Sequence, residues 1–197
     1  MAGGGAVRIL GIDPGTRVAG FGCIEVAESS VARGPGSPRL AVAASNVVRL
    51  SGGRPQVRVV DAGVLTLGKR TCPIEDRLFR LGEQMLELLD RLKVHELAIE
   101  EAFVNRSVSA ALRIGEARGV VLAMARSREV PIHQFTPARI KRAVAGHGGA
   151  SKDAVAEMVC RQLALSPIPE PRDITDALAV AFCRGEVRRD ILGQATL

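Results

Sequence analysis

The stretch L-G-I-D-P-G (residues 10–15) lies near the amino terminus, at the end of an apolar run over residues 7–12. A second apolar run follows over residues 18–26, so the two runs are predicted to be strands of a hairpin that turns at Asp13. The Pro-Gly pair bends the chain sharply, and the glycines on both sides are expected to leave space for a bulky ligand. A carboxylate at a strand end can ligate a hard cation, or it can only stabilise the turn. This stretch alone leaves both roles of Asp13 open.

The chain length of 197 residues suits one domain with a complete hydrophobic core. We therefore expect a single domain over residues 1–197, with flexible tails at residues 1–6 and 190–197. No apolar run approaches the roughly 20 residues that span a bilayer, and the first residues lack the features of a signal peptide. The four cysteines are scattered without a CxxC pair, which indicates neither a zinc site nor a disulfide framework. A cytoplasmic location without membrane attachment is expected.

The charge distribution favours a polyanionic partner, because the net charge is +6. Only four of the 27 basic residues are lysines, so a lysine is more informative here than an arginine. Residues 27–56 are rich in Gly, Pro and Ser and contain several arginines against one acid, Glu28. We interpret them as a basic insertion between early strands, with residues 40–48 as a candidate weak strand. The insertion is either a solvated loop or an additional phosphate contact.

The remaining hydrophobic patterns predict an α/β fold. Further strand patterns occupy residues 57–67, 97–99 and 130–135, and helical patterns occupy residues 73–92, 107–128, 137–144, 151–163 and those from 173 onward. Three strands in hairpin connection followed by strand–helix alternation predict a five-stranded mixed sheet, three strands antiparallel and then two parallel, with helices on both faces. The small residues of the 107–128 pattern would let another helix approach closely, either within the chain or in a second subunit.

Four acids are expected to meet at one edge of this sheet. Asp13 ends the first strand and Glu100 ends the central strand, whereas Asp173 and Asp176 share one face at the start of the last helix. Ligands gather beyond the carboxyl ends of parallel strands. Adjacent parallel first and fourth strands would therefore place Asp13 beside Glu100, with the last helix packed over them.

Converging carboxylates repel one another and raise one another's pKa values, unless a cation neutralises them. Mg²⁺ and Mn²⁺ prefer oxygen ligands, and two such ions about 4 Å apart can stabilise the attacking and leaving oxygens of a phosphodiester. Each acid also has a structural explanation by itself. Asp173 can cap its helix, and Glu101 is interpreted as a surface neighbour of Glu100. In this order and context, the four acids together favour a metal site.

Four sequence blocks resemble the RuvC family of Holliday-junction resolvases. They are L-G-I-D-P-G-T (10–16), A-I-E-E-A-F (98–103), S-A-A-L-R-I-G-E-A-R-G-V (109–120) and D-x-x-D-A-L-A-V-A (173–181), and the resemblance runs from residue 7 to about residue 184. It implies an RNase H-like fold and a homodimer, formed through helix 107–128, that cuts two opposed strands of a four-way DNA junction in recombination and repair. It also implies two Mg²⁺ or Mn²⁺ ions per subunit, ends with 5′-phosphate and 3′-hydroxyl groups, and a RuvA–RuvB branch-migration complex as partner.

The resemblance also assigns roles to individual residues. The implied catalytic, metal-binding acids are Asp13, Glu100, Asp173 and Asp176, and the implied DNA-binding residues are Phe103, Arg106, Lys141 and Lys152. Some relatives have histidine at the position of Asp173. The resemblance implies that Asp173 also assists the attacking water. Both lysines lie around a glycine loop at residues 146–149, where a lysine can neutralise charge on the scissile phosphate, or they are solvated helix-face lysines. Phe103 is either a base-stacking side chain or a core residue.

Two other functions fit parts of the pattern. The Asp-x-Gly-Thr turn at residues 13–16 also resembles the phosphate loop of actin-like sugar kinases and ATPases, which need two such domains where this chain has room for one. A non-catalytic junction-binding module is the second alternative, and it would not need all four acids.

Overall fold

The computed structural model describes residues 5–27, 57–101 and 108–194, with side chains as far as residue 191. Five strands form one sheet: β1 (Ala6–Asp13), β2 (Val18–Ala27), β3 (Val57–Thr66), β4 (Glu96–Glu100) and β5 (Ile132–Phe135). Their order is β3-β2-β1-β4-β5. The β1–β2 and β2–β3 pairs are antiparallel, whereas the β1–β4 and β4–β5 pairs are parallel. The predicted mixed sheet is confirmed.

Helices cover both faces of the sheet, as the sequence predicts. They are α1 (Ile74–Leu92), α2 (Val108–Ser127), α3 (Pro137–Ala145), α4 (Lys152–Gln162) and α5 (Arg172–Gln194). Side chains alternate across β1, so Ile9 packs with α3, α4 and α5, whereas Leu10 and Ile12 pack with α1 and α2. All three side chains are fully buried. The strands therefore lie between two apolar layers.

Two glycines on either side of Asp13 lie against protein backbone. A methyl group on Gly11 would lie 2.0 Å from the carbonyl oxygen of Ala177, and one on Gly15 would lie 2.0 Å from the carbonyl oxygen of Val18. The expectation that the glycines beside the Asp13 turn leave space for a ligand is therefore wrong. Protein backbone fills that space, because only glycine lets a helix or a turn come so close to a strand.

The ends of the chain and the basic insertion are described only in part. Helix α5 continues to Gln194, so residues 190–194 belong to a helix and not to the tail expected over residues 190–197. Ala6, at the end of the other expected tail (residues 1–6), is the first residue of β1. Apart from Ala27, the insertion at 27–56 lies outside the described residues, and the single domain over residues 1–197 stays a prediction. Within the described ranges, no helix has the length and apolar character needed to cross a membrane.

Candidate active site

Asp13 is the last residue of β1, and the turn after it is held by two other elements. The Arg77 guanidinium donates a hydrogen bond of 2.8 Å to the carbonyl oxygen of Thr16. The backbone N–H of Leu67 donates a hydrogen bond of 2.9 Å to the carbonyl oxygen of Arg17. The start of α1 and the end of β3 therefore fix the turn that follows the Asp13 carboxylate.

Glu100 leaves the sheet beside Asp13. In the parallel pairing of β1 with β4, Ile12 is opposite Ile99. Asp13 and Glu100 each follow that pair, so the two acids end adjacent strands at the same edge of the sheet. This is the arrangement predicted from the carboxyl ends of parallel strands.

Helix α5 brings the other two acids to this edge. Gly20 is opposite Asp13 in the antiparallel pairing of β1 with β2. A methyl group on Gly20 would lie 2.0 Å from the carbonyl oxygen of Asp173, so the first turn of α5 lies directly on β2 next to Asp13. Asp173 and Asp176 are both half-buried. The close approach at Gly20 therefore places the amino-terminal end of α5 over the strand ends.

Substituting Gly20 by alanine is expected to displace this helix end. The methyl group would meet backbone atoms and not a flexible side chain, and overpacking of this kind costs about 1–3 kcal/mol of unfolding free energy. We expect Gly20→Ala to lower both the melting temperature and the rate of DNA cleavage. Gly82→Ala in α1 is the control, because its methyl group would lie at an ordinary distance of 3.6 Å from Val120. A Gly20→Ala protein with wild-type melting temperature and rate would contradict the role of this contact.

Electrostatic repulsion links the four acids. Burial raises the pKa of Asp13 from 3.8 to about 7, with further increases from Asp176, Asp173 and Glu100, while Lys152 lowers it. The pKa of Glu100 is also raised, first by burial and then by Asp176. The carboxylates of Asp176, Asp173 and Glu100 all disfavour a negative charge on Asp13, so the site has an excess of negative charge that a cation would relieve.

Two lysines lie near these acids, and their predicted role in DNA binding stays a prediction. The Lys152 Nζ atom lies 3.5 Å from Oδ2 of Asp176. Lys152 is the first residue of α4, where the Ser151 side chain caps the helix by accepting a hydrogen bond from the Ala154 N–H. Lys141 belongs to α3 and lines the same cleft. The cleft is lined by Glu100, Pro137, Ile140, Lys141, Lys152, Val155, Asp176 and Ala179.

The donor set fits a divalent cation that is shared with a substrate. In the part of the chain that the structure describes, no three carboxylate, imidazole or thiolate groups form a ready-made metal cage. Mg²⁺ is commonly held by one or two carboxylates together with water and substrate phosphates, and not by a cage made only of protein groups. Hard oxygen donors, excess negative charge and an adjoining cleft with two lysines suit that mode of binding. The four acids are the residues that would hold such an ion.

The outcomes for the other site residues differ. Phe103 and Arg106 lie outside the described residues, so their roles stay predictions. One neighbour of the site was missed by the sequence reasoning: the Arg118 guanidinium of α2 donates hydrogen bonds to the carbonyl oxygen of Glu100 and to Oε1 of Gln134. The available signal was a charged residue among apolar residues on a helix, inside a block already singled out at residues 109–120.

Known proteins resemble this chain over most of its length. A family model described as "Crossover junction endodeoxyribonuclease RuvC" matches residues 34–184. The protein of that name from Chlorobium phaeovibrioides is 35% identical over 178 residues, which cover 89% of this chain and 79% of the relative. The protein of the same name from Chloroflexus aurantiacus is 35% identical over 177 residues, which cover 90% of this chain and 92% of that relative. The chain belongs to the RuvC family.

A solved RuvC structure agrees with this assignment. The structure of Thermus thermophilus RuvC "in complex with Holliday junction substrate" has a TM-score of 0.74 and 30% sequence identity, and the match covers 94% of this chain and 97% of that one. The chain therefore has the RNase H-like fold of RuvC proteins, which are metal-dependent DNA endonucleases. The match to the RuvC family model begins at residue 34, so Asp13 is assigned to the site by the geometry of β1 and not by that match.

Proposed function

We propose that this RuvC-family protein is a structure-selective endonuclease that resolves four-way (Holliday) DNA junctions in recombination and repair. The observation that carries the proposal is the convergence of Asp13, Glu100, Asp173 and Asp176 at one sheet edge, beside a cleft with two lysines. An excess of carboxylates suits binding of divalent cations, and the nearby ammonium groups suit the phosphodiester backbone of DNA. The product ends would be a 5′-phosphate and a 3′-hydroxyl.

The proposed mechanism assigns the four acids to two Mg²⁺ or Mn²⁺ ions per subunit. When bound, two such ions supply an activated water and stabilise the leaving oxygen. Asp13 must lose its proton to take part, since its pKa is raised to about 7. Asp173, at the first turn of α5, is proposed to orient the attacking water. The rigid ends of β1 and β4 hold Asp13 and Glu100 in place before DNA arrives.

The two lysines are proposed to neutralise the scissile phosphate. In the free protein the Lys152 ammonium lies beside Asp176, at 3.5 Å, and its side chain is otherwise exposed. Lysine is a flexible point charge, so this ammonium can move from the carboxylate to a phosphate oxygen when DNA binds. Lys141, which lines the same cleft from α3, would contact the same DNA backbone. Phe103 and Arg106 are proposed to stack on a base and to contact phosphate, respectively.

A homodimer through α2 would supply two such sites. Val108 and Leu112 are exposed and share one face of this helix with Gly115 and Gly119, where nothing within 4 Å would meet a methyl group on either glycine. Exposed apolar side chains next to glycines suit close packing against a second copy of the same helix. Two sites at a fixed spacing would select a bent junction by its shape.

Substituting Leu112 by glutamate is expected to break this dimer. A charge buried in an apolar interface is strongly unfavourable, and loss of a central contact costs at least about 2 kcal/mol, roughly 30-fold in the dissociation constant. Light scattering after size-exclusion chromatography would measure the mass. Ile191→Glu is the control, because Ile191 is also exposed but lies near the end of α5. A dimer that withstands Leu112→Glu, or a monomeric wild-type protein, would contradict the proposed interface.

Family membership also suggests a RuvA–RuvB branch-migration complex as partner and the cytoplasm as location. Both are proposals for this chain. A pull-down of the chain with purified RuvA and RuvB, with and without a four-way junction, would test the first. Fractionation of cells of the source organism would test the second.

The decisive experiment compares a labelled four-way junction with a linear duplex of the same sequence. We expect symmetric cuts in two opposed strands of the junction, no cuts in the duplex, and activity with Mg²⁺ or Mn²⁺ that EDTA abolishes. Junction binding without cutting under all of these conditions would favour a binding module. Nucleotide hydrolysis in the absence of DNA would favour the actin-like alternative.

A further inference from the structure

Arg118 stands out on α2 because it is a charged side chain on the buried face of the helix. It is only 8% exposed, and the other buried residues of the helix are Ala117, Val121 and Ala125. Burial of a guanidinium is costly unless hydrogen-bond acceptors compensate for the lost water. The hydrogen-bond acceptors of Arg118 therefore indicate the role of an arginine at this buried position.

Both acceptors belong to the edge of the sheet that carries the site. The guanidinium donates through one terminal nitrogen to the carbonyl oxygen of Glu100 and through the other to Oε1 of Gln134. The pairing of β1 with β4 ends at Ile99, so the Glu100 carbonyl lies just past the last residue that β1 supports. On the β5 side, the Glu101 N–H donates a hydrogen bond of 2.8 Å to the carbonyl oxygen of Phe135. Arg118 thus supports the main chain of β4 where the pairing with β1 has ended.

We propose that Arg118 is a positioning residue that fixes the Glu100 main chain and thereby sets where the Glu100 carboxylate meets the metal ions and the DNA. The inference rests on the proposed function, because it assumes that Glu100 is a metal ligand. The planar guanidinium suits the task, since it presents two donors in a fixed geometry to β4 and β5 at once. A lysine at this position would keep the charge but offers a single flexible ammonium group.

The same residue connects the proposed dimer helix to the reaction centre. Leu112 and Ile114 lie exposed on α2, whereas Arg118 of the same helix reaches the end of β4. A helix moves as a rigid rod over this distance, so packing of two α2 helices would hold Arg118, and with it Glu100, in place. Loss of the dimer and loss of Arg118 are therefore expected to impair the same step.

The test uses the full-length protein with Arg118→Lys and measures metal dependence and DNA binding separately. Removing a group that orients a metal ligand typically costs about 10–100-fold in metal affinity or activity. We expect the metal concentration for half-maximal junction cleavage to rise, or kcat to fall, by that factor. Junction binding in EDTA should be unchanged. Binding of Mn²⁺ to the protein without DNA, followed by electron paramagnetic resonance, should weaken in parallel.

Arg128→Lys is the matched control, because the Arg128 guanidinium, just beyond the end of α2, also donates two hydrogen bonds, here of 2.9 Å each to the two carboxylate oxygens of Asp90. It should leave metal dependence and kcat at wild-type values. If Arg118→Lys fails to fold, as thermal melting would show, Gln134→Met removes one of the two acceptors on an exposed residue and should shift the metal dependence in the same direction.

Two results would overturn the proposal. One is a folded Arg118→Lys protein whose kcat, metal dependence and Mn²⁺ binding equal those of the wild type. If Arg118→Lys is unfolded, the same three wild-type values in a folded Gln134→Met protein would overturn the proposal. The other is a loss of junction binding in EDTA as large as the loss of cleavage, which would make Arg118 part of the DNA-binding surface or of the general fold. If the wild-type protein cuts no junction, the proposed function fails, and the Mn²⁺ titration still decides whether Arg118 orients the carboxylate.

Discussion

Asp176→Asn is expected to abolish junction cleavage while junction binding remains. The substitution keeps the shape of the side chain and removes one charge from the cluster that raises the pKa values of Asp13 and Glu100. Since bound metal ions contribute several kcal/mol to transition-state stabilisation, the loss of a ligand should slow cleavage by about 10³-fold or more. DNA binding depends mainly on basic side chains and should change little. Single-turnover cleavage and a gel-shift titration in EDTA measure the two quantities.

A nearby acid provides the control for this experiment. Asp153 lies next to Lys152 in sequence but is exposed and forms an ion pair of 2.7 Å with Arg172. Asp153→Asn should therefore cleave at close to the wild-type rate. If Asp176→Asn weakened junction binding as strongly as cleavage, the acid would have a structural role and its assignment as a metal ligand would be wrong. Equal loss in both variants would point to a general effect of charge.

Cleavage at limiting metal concentration is expected to fall as the pH drops below about 7. Asp13 has a pKa of about 7 in the folded, metal-free protein, and a carboxylate must be ionised to bind a metal ion. Protons and metal ions therefore compete for this group. The pH at half-maximal rate should move to lower values as the metal concentration rises. Rates measured across this pH range at two metal concentrations test the competition, and a pH profile that does not move with metal concentration would contradict it.

The same raised pKa predicts how stability depends on pH. Between pH 3.8 and about 7 the folded protein holds a proton on Asp13 that the unfolded chain has released. The stability contributed by this group is therefore fully present below pH 3.8 and is lost as the pH rises through about 7. Above that pH, divalent metal should restore stability, since it binds the ionised carboxylates of the folded state.

Thermal melting of the wild-type protein and of Asp13→Asn separates this effect from other titrations. In the metal-free state above pH 7, Asp13→Asn should melt at a higher temperature than the wild type, because the substitution removes a buried, repelled charge. Added Mg²⁺ should raise the melting temperature of the wild type more than that of the variant. Asp61→Asn on β3 is the control, since Asp61 forms an ion pair of 2.8 Å with Arg91 and not with the cluster. A lower melting temperature for Asp13→Asn than for wild type would contradict the prediction.

Much of the fold and of the site could be predicted because the signals are local. Alternating and continuous apolar runs indicated the five strands, and an acid directly after an apolar run marked the ends of β1 and β4. The two acids of α5 were recognisable by their i, i+3 spacing before an apolar helix. Lys141 and Lys152 were assigned by the resemblance to the RuvC family, and the rarity of lysine in this chain supported the assignment. The inferences about the strands and the acids needed only neighbouring residues and the general rule for ligands at the ends of parallel strands.

Contacts between distant parts of the chain could not be predicted in this way. The glycines beside the Asp13 turn were expected to leave space for a ligand, yet Gly11 lies against the backbone of α5. Arg118 was one arginine among many in an arginine-rich chain, and only the packing of α2 on the sheet shows that it reaches Glu100. The contact of Lys152 with Asp176 likewise depends on how α4 and α5 meet.

The sequence by itself determined the fold class through strand and helix periodicity and the family through four short motifs, and it predicted the four acids as metal ligands, because each of these signals lies in a short stretch of chain. The tertiary structure alone decided how closely those acids approach, how strongly their mutual repulsion and burial raise the pKa of Asp13, and which side chains support them. The physical reason is that Coulomb interactions and desolvation depend on distances and burial. Those are set by close packing between elements far apart in the chain.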